Sequence, residues 1–445
     1  MITATIGKIF LEAYNEKFGT NYDAKSFFVE VYYPLFFDSN KYLQWVQNSP
    51  FVQMEKGQKV ETLTQNERKE KLQKFIQKVD ECKKPDASIA PGFPASEEKE
   101  FATTSGQVTN LDFSTTKDDI YLSWLGSSLG IGLQGGLSIL FSDKQILLDL
   151  FDGWQLYREV INENDKMKGN QVNTWNGQWL AHCYDKGNFY INEPMAGFNP
   201  FESSKDGMNV ATQSWTKVII GISKQFKSPK MMGYVYNLGQ TNTSIGFIPF
   251  SLDHIRKPIQ LYAKLFGVDE GRKAEDLWGT EKGFRTCCQR GCIGIEAMQP
   301  KGLKQYMTAD KDKTVKLPKN DEKQIINFHT YQIWLLAMLN NEELWTKSKE
   351  FAQTLQTYVN KDKKLSTKRG NLVKNILTAT SKKTFLSALS EIAEDIESFN
   401  MIEENAKVIH MMPTDNVPYY LTLIRFHYAG LSNKNNQQTL QLEFN

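Results

Sequence analysis

The chain holds no run of apolar residues approaching the roughly 20 needed to cross a bilayer. Its longest apolar segments, around 331–339 and 139–151, are broken by polar residues at helical spacing. Its first eight residues, Met1 to Lys8, carry no basic cluster, apolar run or small-residue cleavage pattern, the three marks of a secretory signal. Cysteine is scarce: Cys82, Cys183, Cys287, Cys288 and Cys292 make an odd five in 445 residues, too few for a disulfide framework. Together these absences predict a cytoplasmic protein with no membrane partner. Net charge is nearly absent too, with 53 Lys and Arg against 51 Asp and Glu, so any affinity for a polyanion must come from a local patch. No internal repeat is found, and no Walker lysine follows a glycine loop, which removes one common route to nucleotide hydrolysis.

What is present is an ordinary apolar fraction of 40% with aromatics at 12%, in a chain long enough for two or three packed cores. The pattern predicts an α+β protein: a mixed N-terminal and central region with short strands and hairpins, then a C-terminal all-helical bundle. Residues 1–82 read as helical. Ile6, Ile9, Phe10, Ala13 and Tyr14 share one face, Pro34 interrupts the bulky run 27–37, and 67–81 is amphipathic. Residues 83–108 read as a loop or linker punctuated by Pro85, Pro91, Gly92 and Pro94. Residues 109–320 read as a mixed α/β domain. In it, Ser142 and Gln145 form a capping box ahead of an apolar helical stripe from Ile146 to Ile161. Runs 232–238 and 244–250 form a hairpin, and 287–298 reads as a strand pair or a strand with a tight turn. Residues 321–430 read as consecutive amphipathic helices joined by short connections, and 431–445 as a polar, amide-rich tail or edge strand.

Several constellations invite chemistry. Gly130, Gly132 and Gly135 formally match the dinucleotide fingerprint. However, no helix opens on the third glycine and the acid 20 residues on, Asp152, falls inside the predicted helix, so close backbone packing is the better reading. Cys287, Cys288 and Cys292 form one cluster without the second pair a zinc site needs. His182 beside Cys183 is no catalytic pair on adjacency alone. Asp86 with Glu97, Glu98 and Lys99 has the spacing of metal-dependent nuclease cores, with Asp112, Asp118 and Asp119 nearby, but in a strand-poor segment. No catalytic residue, metal ligand or cofactor is assigned.

Two features point to nucleic acid. Segment 343–384 holds ten basic residues against three acids, with Lys361, Lys363, Lys364, Lys368, Arg369 and Lys374 suited to phosphate contacts. Segment 169–179 crowds amides around indoles, with Asn173, Asn176 and Gln178 suited to base edges and Trp175 and Trp179 to base stacking. In this layout the chain resembles the large subunit of type I CRISPR effector (Cascade-type) complexes. That resemblance implies motif-reading loops at 169–242 and target-DNA contacts from the basic helices. The resulting expectation is a non-catalytic nucleic-acid-binding protein, one subunit of a prokaryotic defence ribonucleoprotein, with DNA or RNA and other protein subunits as partners. The alternatives are a Mg-dependent restriction-type nuclease using the acids of 86–119 and a protein-interaction scaffold anchored by aromatics.

Overall fold

A computed structural model describes residues 1–47, 49–83, 94–95, 115–205, 207–237, 243–307, 315, 318 and 321–432. It is an α+β structure in which helices dominate and strands form one small sheet and one hairpin. Contacts divide the chain into two units, Met1–Leu252 with Cys288–Cys292, and Asp253–Cys287 with Ile293–Asn445. The domain boundary expected near residue 320 lies inside the second of these. Most of the expected loop 83–108 and the tail from residue 433 lie outside the described residues.

The first unit opens with α1 (Ile2–Phe18), α2 (Ala24–Phe27), α3 (Tyr33–Phe36), α4 (Gln65–Glu81) and α5 (Lys117–Ser128). A π turn over Phe28–Tyr32 sits between α2 and α3, so the missing N–H of Pro34 falls just after an interruption of the ordinary helical ladder. Thr64 and Glu67 form a reciprocal capping box at the start of α4. α5 is buried from Ile120 through Ser128, which makes it an interior helix and explains its lack of a polar face. α1 crosses α5 at two glycines: a Cβ on Gly7 would lie 1.9 Å from the Leu122 carbonyl oxygen, and one on Gly126 would lie 1.8 Å from that of Thr3. Only paired glycines permit so close a backbone approach. Around this crossing Phe10, Phe27, Phe151 and Trp154 pack with ring centroids 5.7–6.0 Å from Phe10.

The end of α3 and the irregular segment between α3 and α4 bury backbone carbonyls that need donors. Long cationic side chains supply them. Arg158 donates to the carbonyls of Leu35, Phe36 and Lys41, Arg68 to those of Ser39 and Val60 and to Asn40 Oδ1, and Lys71 to those of Pro50 and Gln53.

Beyond α5 come β1 (Ile131–Leu133), β2 (Leu137–Phe141), α6 (Lys144–Glu163), α7 (Val172–Cys183), β3 (Phe201–Ser204), β4 (Gly207–Val210), α8 (Trp215–Gln225), β5 (Lys230–Asn237) and β6 (Thr243–Ser251). The sheet is antiparallel in the order β1-β2-β5-β6, and β3 and β4 form the separate hairpin. The apolar stripe of α6 is where periodicity put it, with Ile146, Leu150, Trp154, Tyr157 and Ile161 buried. Its cap is Asp143, which accepts from the N–H groups of Gln145 and Ile146, not the expected Ser142.

The second unit carries all of α9 (Leu252–Phe266) after its first residue, then α10 (Val268–Ala274), α11 (Glu281–Gln289) up to Cys287, α12 (Lys304–Met307), α13 (Glu322–Leu339), α14 (Glu343–Asn360), α15 (Ser366–Leu377), α16 (Lys382–Ala393), α17 (Phe399–Met411) and α18 (Val417–Ser432). The strand pair expected at 287–298 is instead the end of α11, a turn through Gly291 at φ +82°, and a 3-10 turn at Ile295–Met298. α13 is buried on nearly every side from Ile326 to Leu339 and packs, like α14, against α18. Asn340 ends α13 in the left-handed conformation, φ +55°, a role open to Asn when Gly is absent. Among the described residues no helix is long and apolar enough to cross a membrane.

Candidate nucleic-acid interface

The amide and indole residues expected to read bases are not on a loop. They form α7, and its polar atoms face inward. Asn176 is fully buried; its Nδ2 donates to the carbonyls of Ser128 (2.8 Å) and Gly130 (2.9 Å), and its Oδ1 accepts from Trp154 Nε1 at 2.9 Å. Asn173 Nδ2 donates to the carbonyls of Ser127 (3.1 Å) and Gly130 (2.8 Å). Gln178 donates to the Ala211 carbonyl at 2.7 Å and accepts from Gln213 at 3.0 Å. Trp175, fully buried, stacks on Tyr157 at 4.7 Å and donates to the Gly153 carbonyl at 2.8 Å. Trp179 donates to the Asp149 carbonyl at 2.7 Å. The base-reading assignment of Asn173, Trp175, Asn176, Gln178 and Trp179 is therefore corrected. Asn173 and Asn176 close the polar ends left where α5 stops and β1 begins, and Trp175 and Trp179 satisfy carbonyls of α6, sites where unpaired carbonyls would be costly.

The basic residues divide differently. Within the second unit α14 packs on α15 and α17, α15 on α16, and α16 on α17. That arrangement brings Asp395 and Glu397 of the α16–α17 connection, and Glu404 of α17, against the lysine-bearing segment. Lys361 pairs with Glu397 at 2.5 Å and Lys347 with Glu404 at 2.9 Å. Arg369 is 5% exposed. Its Nε and Nη2 donate to Asp395 Oδ2 at 3.1 and 2.9 Å, and its guanidinium lies 4.8 Å over the Tyr358 ring. The hydrogen bond from Arg369 holds the Asp395 carboxyl below the usual carboxylate range, and that from Lys361 does the same to Glu397. Lys382 donates to the His410 carbonyl at 2.9 Å. Arg369 is thus a structural cation and leaves the candidate interface. Lys361 sits in an exposed pair, which a competing phosphate breaks at little cost.

Lys363, Lys364, Lys368 and Lys374 remain. All four are exposed, and none has an ion pair among the described residues. α15 turns Arg369, Val373 and Ile376 inward, so Lys368 and Lys374 fall on the outer side together with Asn371 and Asn375. Lys363 and Lys364 stand just before α15, where the Lys364 N–H donates to Asp362 Oδ1 at 2.8 Å. The site is electropositive along its outer edge and neutralised along its inner one.

The other constellations find structural roles. The glycine fingerprint is the β1–β2 hairpin, with Gly135 and Gly136 at φ +81° and +70° in its turn. His182 stacks on Phe198 at 4.5 Å with Nε2 2.9 Å from the Pro194 carbonyl. Cys183 makes its bond to the Leu180 carbonyl at 3.7 Å, and burial pushes its thiol far up, opposite to what a nucleophile needs. Cys287 and Cys288 are buried and Cys292 is exposed; among the described residues no three His, Cys, Asp or Glu side chains gather to hold a metal ion. Of the acids spaced like a nuclease core, Asp86, Glu97, Glu98 and Asp112 lie outside the described residues, as does Lys99. Asp119 caps α5 by accepting from the Thr116 N–H and hydroxyl, both at 2.8 Å. No family model matches this chain, no curated protein matches it in sequence, and no solved structure matches it in fold.

Proposed function

We propose that this protein binds nucleic acid without acting on it chemically, through phosphate contacts from Lys363, Lys364, Lys368 and Lys374. The observation that supports this reading is the set of four exposed ammonium groups with no carboxylate partner among the described residues, gathered over a dozen positions of a chain with almost no net charge. Sequence specificity has no support, because Trp175, Asn176 and Trp179 are buried in α7 and the half-buried Asn173 and Gln178 spend their amides on backbone carbonyls and Gln213. The likeness to the Cascade large subunit accordingly keeps only its basic helical part. Membership of a prokaryotic defence ribonucleoprotein is the finer proposal, tested by whether RNA or further subunits co-purify.

Filter binding to a mixed-sequence duplex over roughly 50–200 mM salt tests the reading directly. Four phosphate contacts predict a log–log slope of about −3 to −4. The variant K364E/K368E should lower affinity at least tenfold at the low-salt end. Binding without salt dependence, or an unaltered charge-reversed variant, refutes the assignment. A protein-contact role is the second reading, favoured by Met232 and Phe247, which are 50% and 63% exposed on the paired strands β5 and β6. It predicts a complex that survives K364E/K368E and is lost on Phe247→Asp.

A further inference from the structure

From Lys363 to Thr384 the chain has seven basic residues, no acid and no aromatic ring. The stretch runs from just before α15 through the first turn of α16. Buried Arg369, Val373 and Ile376 fix which side of α15 faces inward. Successive residues step about 100° around a helix, so Thr367, Asn371 and Lys374 fall on the far side, and all three are exposed. The acids that touch α15 reach it along one arc: Asp395 meets Arg369, and Glu391 Oε2 lies 3.4 Å from Asn375 Nδ2. Asp362 stands ahead of the helix and accepts from the Lys364 N–H. Gly370 falls outside that arc, roughly 100° from Arg369 and roughly 140° from Asn375. Its surface neighbours include Thr367, three positions before it, and Lys374, four after.

Neither the turn nor the packing of the chain calls for a glycine at that position. Gly370 lies inside α15 and its φ is not positive. A Cβ built on it meets nothing within 4 Å, whereas at Gly7 and Gly126 a carbonyl fills the space. In a helix interior glycine is the least favourable residue after proline, so Gly370 weakens α15 with no internal contact to offset the loss. What it leaves is bare helix backbone, with Lys374 on one side and Lys363, Lys364 and Lys368 toward the start of the helix. Close approach of another backbone is a use that only glycine serves, and the surrounding ammonium groups select one that carries phosphates. Single strands are held by aromatic rings on which their bases stack, and this stretch has none. A duplex keeps its bases inside and offers its phosphates to such a surface.

We propose that double-helical nucleic acid lays its phosphate backbone across α15 at Gly370. The four lysines supply the affinity, as in the reading above on which this one rests; Gly370 sets the point of closest approach, and the lack of rings sets the form of the ligand. Fluorescence anisotropy of the full chain at low salt, with a short mixed-sequence duplex and with one of its strands alone, tests both. The duplex should bind more tightly than the strand. Gly370→Gln adds bulk without charge and should weaken duplex binding at least fivefold, while melting at or above the wild-type temperature because glutamine is the better helix former. A glycine of purely structural meaning would move the melting temperature and leave binding alone. A loss under fivefold in the folded Gly370→Gln variant, or a strand that binds as tightly as the duplex, overturns the proposal; the lysine reading survives that result if K364E/K368E still weakens binding. If K364E/K368E binds like the wild type, both fall. Should Gly370→Gln melt below the wild type, Gly370→Ala is read in its place, on a twofold criterion.

Discussion

α7 and α15 are twelve-residue helices that both carry several polar side chains, yet one faces the core and the other faces water. In α7 the polar groups are amides and indoles, short enough to be buried and equipped to satisfy carbonyls. In α15 they include ammonium groups on long stems, which are expensive to bury and stay outside. The contrast teaches that polarity marks a surface only when the polar group cannot be satisfied indoors. Arg369, buried on α15 by one carboxylate and one ring, is the exception that follows the same rule.

The largest expected effect comes from breaking the inward helix. Asn176→Ala strips partners from Trp154 Nε1 and the Ser128 carbonyl, and should destabilise the first unit by about 3–5 kcal/mol in a denaturant melt. A loss below about 1 kcal/mol would mean that α7 is not the polar seal described.

Acid sharpens the comparison between the units. Burial pulls His329 down to about 4 and His427, helped by Lys349, to about 3, whereas an unfolded histidine titrates near 6.5. The folded second unit therefore binds fewer protons than the unfolded one. Its stability is complete above about pH 6.5 and falls as pH drops toward 4, by roughly 3 kcal/mol per histidine. In the first unit Asp149 runs the other way. Burial raises its carboxyl despite the hydrogen bonds from Tyr184 and Gln145, so protonation on acidification relieves a strain. Hydrogen exchange at pH 5 against pH 7, corrected for intrinsic rates, should show α13 and α18 losing protection before α6 and α7. The reverse order contradicts this account.

The smallest effect is expected on the outward helix. K364E/K368E should shift stability by no more than about 0.5 kcal/mol while weakening nucleic-acid binding, as measured on the same preparation. A variant that melts early would show those lysines to be part of the packing.

Much of the fold was readable wherever periodicity was strong. The stripe of α6, the hairpin of β5 and β6, and the helical run after residue 321 follow from spacing alone. α7 was not, because its apolar positions are interrupted by amides whose partners are remote: for Asn173 and Asn176 the carbonyls of residues 127–130 lie some 45 positions away. α11 was misread for a related reason: paired cysteines look strand-like until the turn at Gly291 separates them from Ile293. The lysine segment showed its charge excess but not its cancellation. Glu397 and Asp395 are 36 and 26 residues from the cations they meet, and only the antiparallel return of the helices brings them together.

The glycine crossing of α1 and α5 sets an order of events at the ribosome. α1 is complete by residue 18, but the surface it must lie against is not made until residue 128. At 5–20 residues per second that is a wait of roughly 6–20 s, during which the face of α1 that meets α5 has nothing to cover it. Nascent chains should therefore depend on chaperones during that interval, and slowing translation between the codons for residues 18 and 128 should reduce yield more than slowing it beyond them.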